Sequence, residues 1–182
     1  INNVPCKGWV SITVAPNTRG EGNLIISRVG EDNPVYPFVN AAEEGISEAF
    51  NIGVLKGYPL TDLRVEINDA TFNNPEFARL TLKMAAYDAL RDACQQAGPV
   101  LLVPIMSLAV TVPNEFLGEI ISDLNSRKCH IASIITKDKY TVVDANAPLT
   151  NMFGYSTDIR SLSQGRASFT MYFSRYDRIE NG

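Results

Sequence analysis

A basic excess is the first thing this sequence lacks. Its 182 residues carry 16 Lys and Arg against 20 Asp and Glu, a net charge of −4, which argues against a simple polyanion-binding module. Histidine occurs once, at His130, and cysteine three times, at Cys6, Cys94 and Cys129. Neither a CxxC pair nor any other ligand spacing is present, which excludes a zinc framework. An odd number of cysteines beside a single histidine fits reduced thiols in the cytoplasm. No signal peptide is visible, and the longest apolar stretch, Val100–Val112, is interrupted by Pro104 and too short to span a bilayer. The expectation is a soluble chain with no membrane partner. Nucleotide hydrolysis needs a glycine-rich turn ending in Lys-Ser or Lys-Thr, and no GxxxxGK[ST] string occurs. Asn51–Gly57 (NIGVLKG) has two glycines and a lysine in the wrong order. The lone His130 and the acidic pairs Glu31–Asp32 and Glu43–Glu44 read as structural or solvated groups. No catalytic residue, metal ligand or cofactor site is evident.

What is present is a foldable chain of one large or two small domains. Hydrophobic residues make up 45% and charged residues 20%, so it can bury a core. Residues 1–100 carry 8 basic and 12 acidic side chains, and residues 101–182 carry 8 and 8. Any contact with RNA must therefore rest on local basic spots such as Arg127–Lys128 and Arg160/Arg166. Trp9–Val14 alternates Val10, Ile12 and Val14 against Trp9, Ser11 and Thr13, which predicts a strand. Pro16–Gly22 reads as loop and Asn23–Val29 as a second strand. Pro37 starts a helix with Val39, Ala42, Ile46 and Phe50 on its apolar face, ending near Gly53. Asp62–Asn68 is a half-exposed strand, and Asn68–Asn74 (NDATFNN) a polar loop. Asn74-Pro75-Glu76 gives a helix start signal. The helix runs to about Gln96 with Phe77, Leu80, Met84, Tyr87, Leu90 and Cys94 as its apolar face, stopped by Gly98–Pro99.

Beyond a boundary placed near Gly98–Pro104, the order is strand, helix, strand, strand, helix, strand. The strands are Ile105–Val112, Cys129–Thr136, Tyr140–Ala147 and Ala167–Phe173, and the helices Asn114–Ser126 and about Tyr155–Leu162. Leu117, Ile120, Ile121 and Leu124 face inward from the first of these helices. This is the ferredoxin-like split unit, with Lys137-Asp138-Lys139 as its hairpin turn. The fold class is α+β in two domains, 1–100 and 101–182.

The residues that carry most functional information are 152–166, MFGYSTDIRSLSQGR. They put Phe153 and Tyr155 beside a glycine and end in Gly165–Arg166. Arg160 and Gln164 lie four residues apart, neighbours on a helix. Aromatic faces, a guanidinium, an amide and an exposed backbone turn are contact groups rather than hydrolytic ones.

Together with Pro99–Lys128 (PVLLVPIMSLAVTVPNEFLGEIISDLNSRK), this stretch resembles the end of elongation factor G, the translocation GTPase of ribosomes. The likeness covers about Gly8–Ile179. It implies a ribosomal-protein-like fourth domain, with its first strand missing from this chain, followed by a ferredoxin-like fifth domain. By that resemblance the fourth domain reaches the decoding site, where it stops tRNA and mRNA slipping back. The fifth docks near the sarcin–ricin loop and the stalk-base proteins. The tip positions would be Asp69, Ala70, Thr71, Phe72, Asn73 and Asn74, with Lys7 in the second tip loop, Asn3–Gly8. In the fifth domain the contact positions would be Arg127, Lys128, Met152, Phe153, Gly154, Tyr155, Arg160, Gln164, Gly165 and Arg166. GTP and Mg would belong to a domain of the longer factor, and the protein is expected to be monomeric.

The departures from the family fall at the tip. Where typical members carry Gly-Ser-Tyr-His, this chain has Ala70, Thr71, Phe72 and Asn73. Phe72 keeps a stacking face without the hydroxyl, and Asn73 cannot take a proton near neutral pH. The other tip loop reads NVPCKG, and Val103 stands where the family has an acidic residue. Two readings follow: drift in exposed loops, or a divergent paralogue serving ribosome recycling or protection. A protein–protein adaptor is the alternative from another class, since the ferredoxin-like fold hosts many functions. An independent small-molecule kinase ranks third, for want of a phosphate loop.

Overall fold

A computed structural model describes residues 5–178. The chain divides into two compact units, Ile1–Val100 and Leu101–Gly182. The first is built from β1 (Gly8–Pro16), β2 (Leu24–Ser27), α1 (Val39–Ile52), β3 (Leu63–Phe72) and α2 (Ala78–Gln96). Its sheet has the order β1-β3-β2, with β1 antiparallel and β2 parallel to β3. The alternation read in Trp9–Val14 places Val10, Ile12 and Val14 against the core and leaves Trp9 exposed.

The expected apolar face of α2 needs correction. Leu90 and Cys94 are buried as read, but Leu80 and Met84 are 57% and 58% exposed and Phe77 also faces out. The buried stripe is Ala78, Leu82, Ala86, Leu90 and Cys94, at four-residue spacing. The cause lies in α1, where a Cβ on Gly45 would stand 2.1 Å from the Lys83 carbonyl oxygen. Helices this close accept alanine and a single leucine row between them, so the bulkier residues turn outward.

The loop expected at Asn68–Asn74 also needs correction, because β3 continues to Phe72. Pairing runs Ser11–Asp69 and then Ile12–Ile67, so Asn68 is an extra residue in β3. Past this bulge the alternation resumes with Ala70 buried and Phe72 half-buried, while Asp69 and Thr71 face outward. A polar run thus remains strand because the bulge resets which side faces the core.

The second unit contains β4 (Leu102–Pro113), α3 (Leu117–Ser126), β5 (His130–Thr136), β6 (Tyr140–Pro148), α4 (Tyr155–Leu162) and β7 (Ser168–Arg178). Its antiparallel sheet has the order β5-β6-β4-β7, the ferredoxin-like arrangement. Leu108, Val110, Val112, Val143 and Ala145 pack under Ile120, Leu124, Tyr155 and Ile159 from the two helices. β7 runs five residues past the expected Phe173, through a bulge at Ser174 that sits between the Met106–Phe173 and Ile105–Arg175 pairs. The β5–β6 turn is organised from outside. The Asn114 amide donates to the carbonyls of Lys137 (3.1 Å) and Asp138 (3.3 Å), and its oxygen accepts from the Thr141 hydroxyl at 2.8 Å.

Candidate functional site

Two regions hold the sequence-predicted contact residues, one in each unit. In the first, the end of β3 pairs with the start of β1, Phe72 opposite Gly8 and Thr71 opposite Trp9. Asp69 accepts from the Ala70 N–H at 2.8 Å. Ala70 is buried, so its side chain offers no contact. Phe72 packs on the core and meets the Phe38 ring edge-on, centroids 5.3 Å apart, so the expected free stacking face is half used. Asn73 is the pivot. Its side-chain oxygen accepts from the Lys7 N–H (2.7 Å), its amide donates to the Pro5 carbonyl (2.7 Å), and its own N–H donates to the Lys7 carbonyl (3.1 Å). Asn73 therefore fastens the segment Pro5–Lys7 to the end of β3. Asn74 accepts from the Glu76 N–H at 3.0 Å and caps the short turn that leads into α2. Asn3 and Val4, expected in the same tip loop, lie outside the described residues.

In the second unit the predicted residues sort into inward and outward sets. Met152 and Tyr155 are buried. Tyr155 lies 5.0 Å from the Phe169 ring, edge-on, and its hydroxyl has no hydrogen-bond partner among the described residues. Both side chains pack in the core of the second unit, while Gly154 between Phe153 and Tyr155 is left-handed at φ 78°. Phe153, on that same turn, is 78% exposed.

Arg127 is also turned inward, with its side chain only 13% exposed. Its Nε donates to Asp123 (2.9 Å), Nη1 to the Asn151 carbonyl (2.8 Å), and Nη2 to Asp158. The guanidinium lies 5.2 Å over the Tyr155 ring. Burial works against its charge, but the hydrogen bonds and fields of Asp123 and then Asp158 outweigh this and raise its pKa. Burial pushes the neighbouring Cys129 thiol up to about 11, against a smaller downward pull from Arg127. It pushes the Tyr155 phenol up as well, with help from Asp123 and Cys129.

The backbone turn at the end of α4 is exposed at Gln164–Arg166 as expected, but its N–H groups are engaged internally. The N–H groups of Gln164, Gly165 and Arg166 donate to the carbonyls of Ser161, Arg160 and Ser163, and that of Ala167 to the Ser163 hydroxyl. What remains for a partner is side chains. Arg166 pairs with Glu115 and covers the Phe116 ring at 4.8 Å. Arg160, Gln164 and Lys128 are exposed. Among the described residues, neither an ion pair nor a side-chain hydrogen bond holds any of these three.

Lys128 and Phe153 stand on the two segments that the same clamp joins. Asn151 returns the Arg127 bond by donating its amide to the Arg127 carbonyl at 2.8 Å, and the Cys129 thiol meets the Met152 sulfur at 3.9 Å. The α3 end thus lies beside the 151–154 turn, with Lys128 (φ 56°) between two joined positions. Of these partners, Asp123 was legible as the i, i+4 neighbour of Arg127. Asn151 and Asp158 gave no sequence signal.

The remaining sequence candidates have structural places. His130 is exposed at the start of β5. Cys94 and Cys129 are buried and Cys6 is exposed. Among the described residues no cluster of His, Cys, Asp and Glu side chains could hold a metal ion. Asn51–Gly57 is a helix terminator, where a Cβ on Gly53 (φ 66°) would stand 1.8 Å from the Tyr58 carbonyl oxygen. These residues do not fit a phosphate cradle. No described helix is long and apolar enough to cross a membrane.

With this geometry established, the chain can be compared with known proteins. Residues 6–98 match the family model for elongation factor G, domain IV, and residues 100–182 that for the elongation factor G C-terminus. Elongation factor G of Aquifex pyrophilus is 39% identical over 172 residues, covering 94% of this chain and 25% of the relative. Elongation factor G of Fervidobacterium nodosum is 43% identical over 142 residues, covering 78% of this chain and 20% of the relative. A protein of known crystal structure from Thermus thermophilus superposes with a TM-score of 0.79 at 25% identity, over 98% of this chain and 30% of that one. The chain thus spans a quarter or less of the length of these two curated relatives.

Proposed function

The chain belongs to the elongation factor G family, and from that premise we propose that it works on the ribosome in tRNA–mRNA translocation. The observation that carries this reading is the outward set on the second unit. Lys128, Arg160 and Gln164 present donors that no internal partner among the described residues occupies, and the Phe153 ring on the same unit is exposed. In a unit with equal numbers of acidic and basic side chains, such groups are local footholds for phosphate and unpaired bases. In this reading the second unit holds ribosomal RNA and stalk-base protein, while the tip at Lys7 and Asp69–Asn74 enters the decoding site. GTP and Mg act in a nucleotide domain of the full-length factor, and the residues here orient rather than hydrolyse. The setting is the cytoplasm, with one copy per ribosome.

The test is ribosome association measured across a salt series. Affinity should fall steeply with KCl, and Arg160→Ala and Lys128→Ala should each lower the log–log salt slope by about one. A slope near zero would replace this reading with an apolar protein adaptor. Single-round translocation by the full-length factor, wild type against Asn73→His, then identifies the step. Good translocation that the substitution leaves unchanged marks an ordinary elongation factor. A wild type that stalls while still hydrolysing GTP on ribosomes marks recruitment to recycling or protection, to be followed by a ribosome-splitting assay.

A further inference from the structure

We propose that Arg127 is a positioning residue: it does not touch the ribosome but sets the Lys128–Phe153–Arg160 surface that does. This inference rests on the ribosome-binding reading of that surface. The guanidinium joins three chain segments. It reaches back four residues to Asp123 on α3, across to the Asn151 carbonyl in the turn before α4, and onward to Asp158 in the first turn of α4. Its flat face covers the Tyr155 ring, the first residue of α4.

A planar fork with five donors can serve these acceptors together, which a lysine ammonium cannot do in the same geometry. Every element that carries an outward contact residue is attached to one of its arms. Lys128 is the next residue along the chain. Phe153 stands between Asn151 and Tyr155, and Arg160 lies on the helix whose first turn Asp158 occupies.

A basic residue beside a surface of this kind would ordinarily be read as a phosphate ligand. Here the charge is already matched by two carboxylates and the group is largely covered. Three of its five N–H donors are already engaged and little of the group reaches solvent, so the residue governs binding through the shape of the surface.

The experiment compares Arg127→Gln, Arg127→Lys, Asp158→Asn and Arg160→Ala with wild type. Association of the 182-residue chain with bacterial ribosomes is followed over a KCl series, and amide hydrogen exchange of 151–156 is recorded without ribosomes. Arg127→Gln should weaken binding roughly tenfold, the size of a lost charge-assisted hydrogen bond. Its salt slope should stay unchanged, and exchange in the turn should quicken. Arg127→Lys should fail to rescue affinity although it keeps the charge. Asp158→Asn removes only one arm and serves if Arg127→Gln does not fold, with the same signature at smaller amplitude. Arg160→Ala should lower the slope by about one while leaving exchange in the turn as in wild type.

Rescue by Arg127→Lys together with a reduced slope in Arg127→Gln would make Arg127 a direct phosphate contact and overturn the proposal. So would unchanged binding in both clamp variants. A wild type that does not bind ribosomes at low salt overturns the functional reading itself, and the positioning role falls with it.

Discussion

The tip of the first unit and the α3–α4 end of the second solve the same problem with different chemistry. Each must hold a short, irregular segment so that a few side chains face outward. At the tip a neutral amide does this in the open: Asn73 makes three hydrogen bonds to Pro5–Lys7, all on exposed groups. At the α3–α4 end a charged group does it under cover, with Arg127 joined to two carboxylates and a carbonyl. Exposed neutral bonds are exchanged for water at small net cost, whereas a covered charge stripped of its partner is expensive. The tip should therefore be the softer of the two, and the second region the one whose arrangement is fixed before any partner arrives.

The strongest way to break this contrast is Arg127→Ala. It strands Asp123 in a partly covered site and should cost about 2–3 kcal/mol in chemical denaturation. Trp9, the sole tryptophan, lies on β1 and reports the first unit by fluorescence. Its environment in native protein should not change. A loss below about 0.5 kcal/mol would put the two regions on an equal footing.

A pH series sharpens the contrast next. The Cys129 thiol titrates at an ordinary value of 9.0 when unfolded and at about 11 when folded. Above pH 9 the unfolded chain releases a proton that the native state keeps. Stability from this group is thus complete below pH 9 and is lost as pH rises to 11, by on the order of 2 kcal/mol. Cys129→Ala should make that part of the profile shallower, with slope remaining from Cys94, whose thiol is also pushed up by burial.

Asn73→Ala removes the tip's fastening and should cost about 1 kcal/mol. A larger readout is faster amide exchange at Lys7 and Asn73. If Asn73→Ala matched Arg127→Ala in stability, the tip would be the more rigid region after all. The smallest effect is expected from Tyr155→Phe. The buried hydroxyl has no partner among the described residues, so its removal should change stability by less than about 0.5 kcal/mol or raise it.

The architecture was largely legible where periodicity has one meaning. The alternation of Val10, Ile12 and Val14, and of Leu63, Val65 and Ile67, put the right residues inside. The strand–helix–strand–strand–helix–strand order gave the second unit's fold before its pairing was known. Legibility failed where a side chain's direction depends on a neighbour distant in sequence. Phe77, Leu80 and Met84 read as a buried stripe because they are large and apolar. Yet the gap beside Gly45 is narrow, and small residues occupy it. Tyr155 read as a contact residue because it adjoins a glycine, and Met152 by the family resemblance, yet both pack against residues distant in sequence, Tyr155 on Phe169 and Met152 on Cys129. Arg127 looked like a free cation because Asp158 and Asn151 lie 31 and 24 residues away, beyond any local pattern.

The extra residue at Asn68 has a consequence for how this fold can vary. Because β3 is one residue longer than its partner there, two successive side chains, Asn68 and Asp69, face outward, and Ala70 and Phe72 beyond them stay on the core side. Deleting that single residue would close the bulge into a regular ladder, with Ile67, Ala70 and Phe72 still on the core side and Asp69 and Thr71 still outside. A lineage can therefore shorten β3 by one codon at this place without turning the tip residues over or disturbing the packing beneath them.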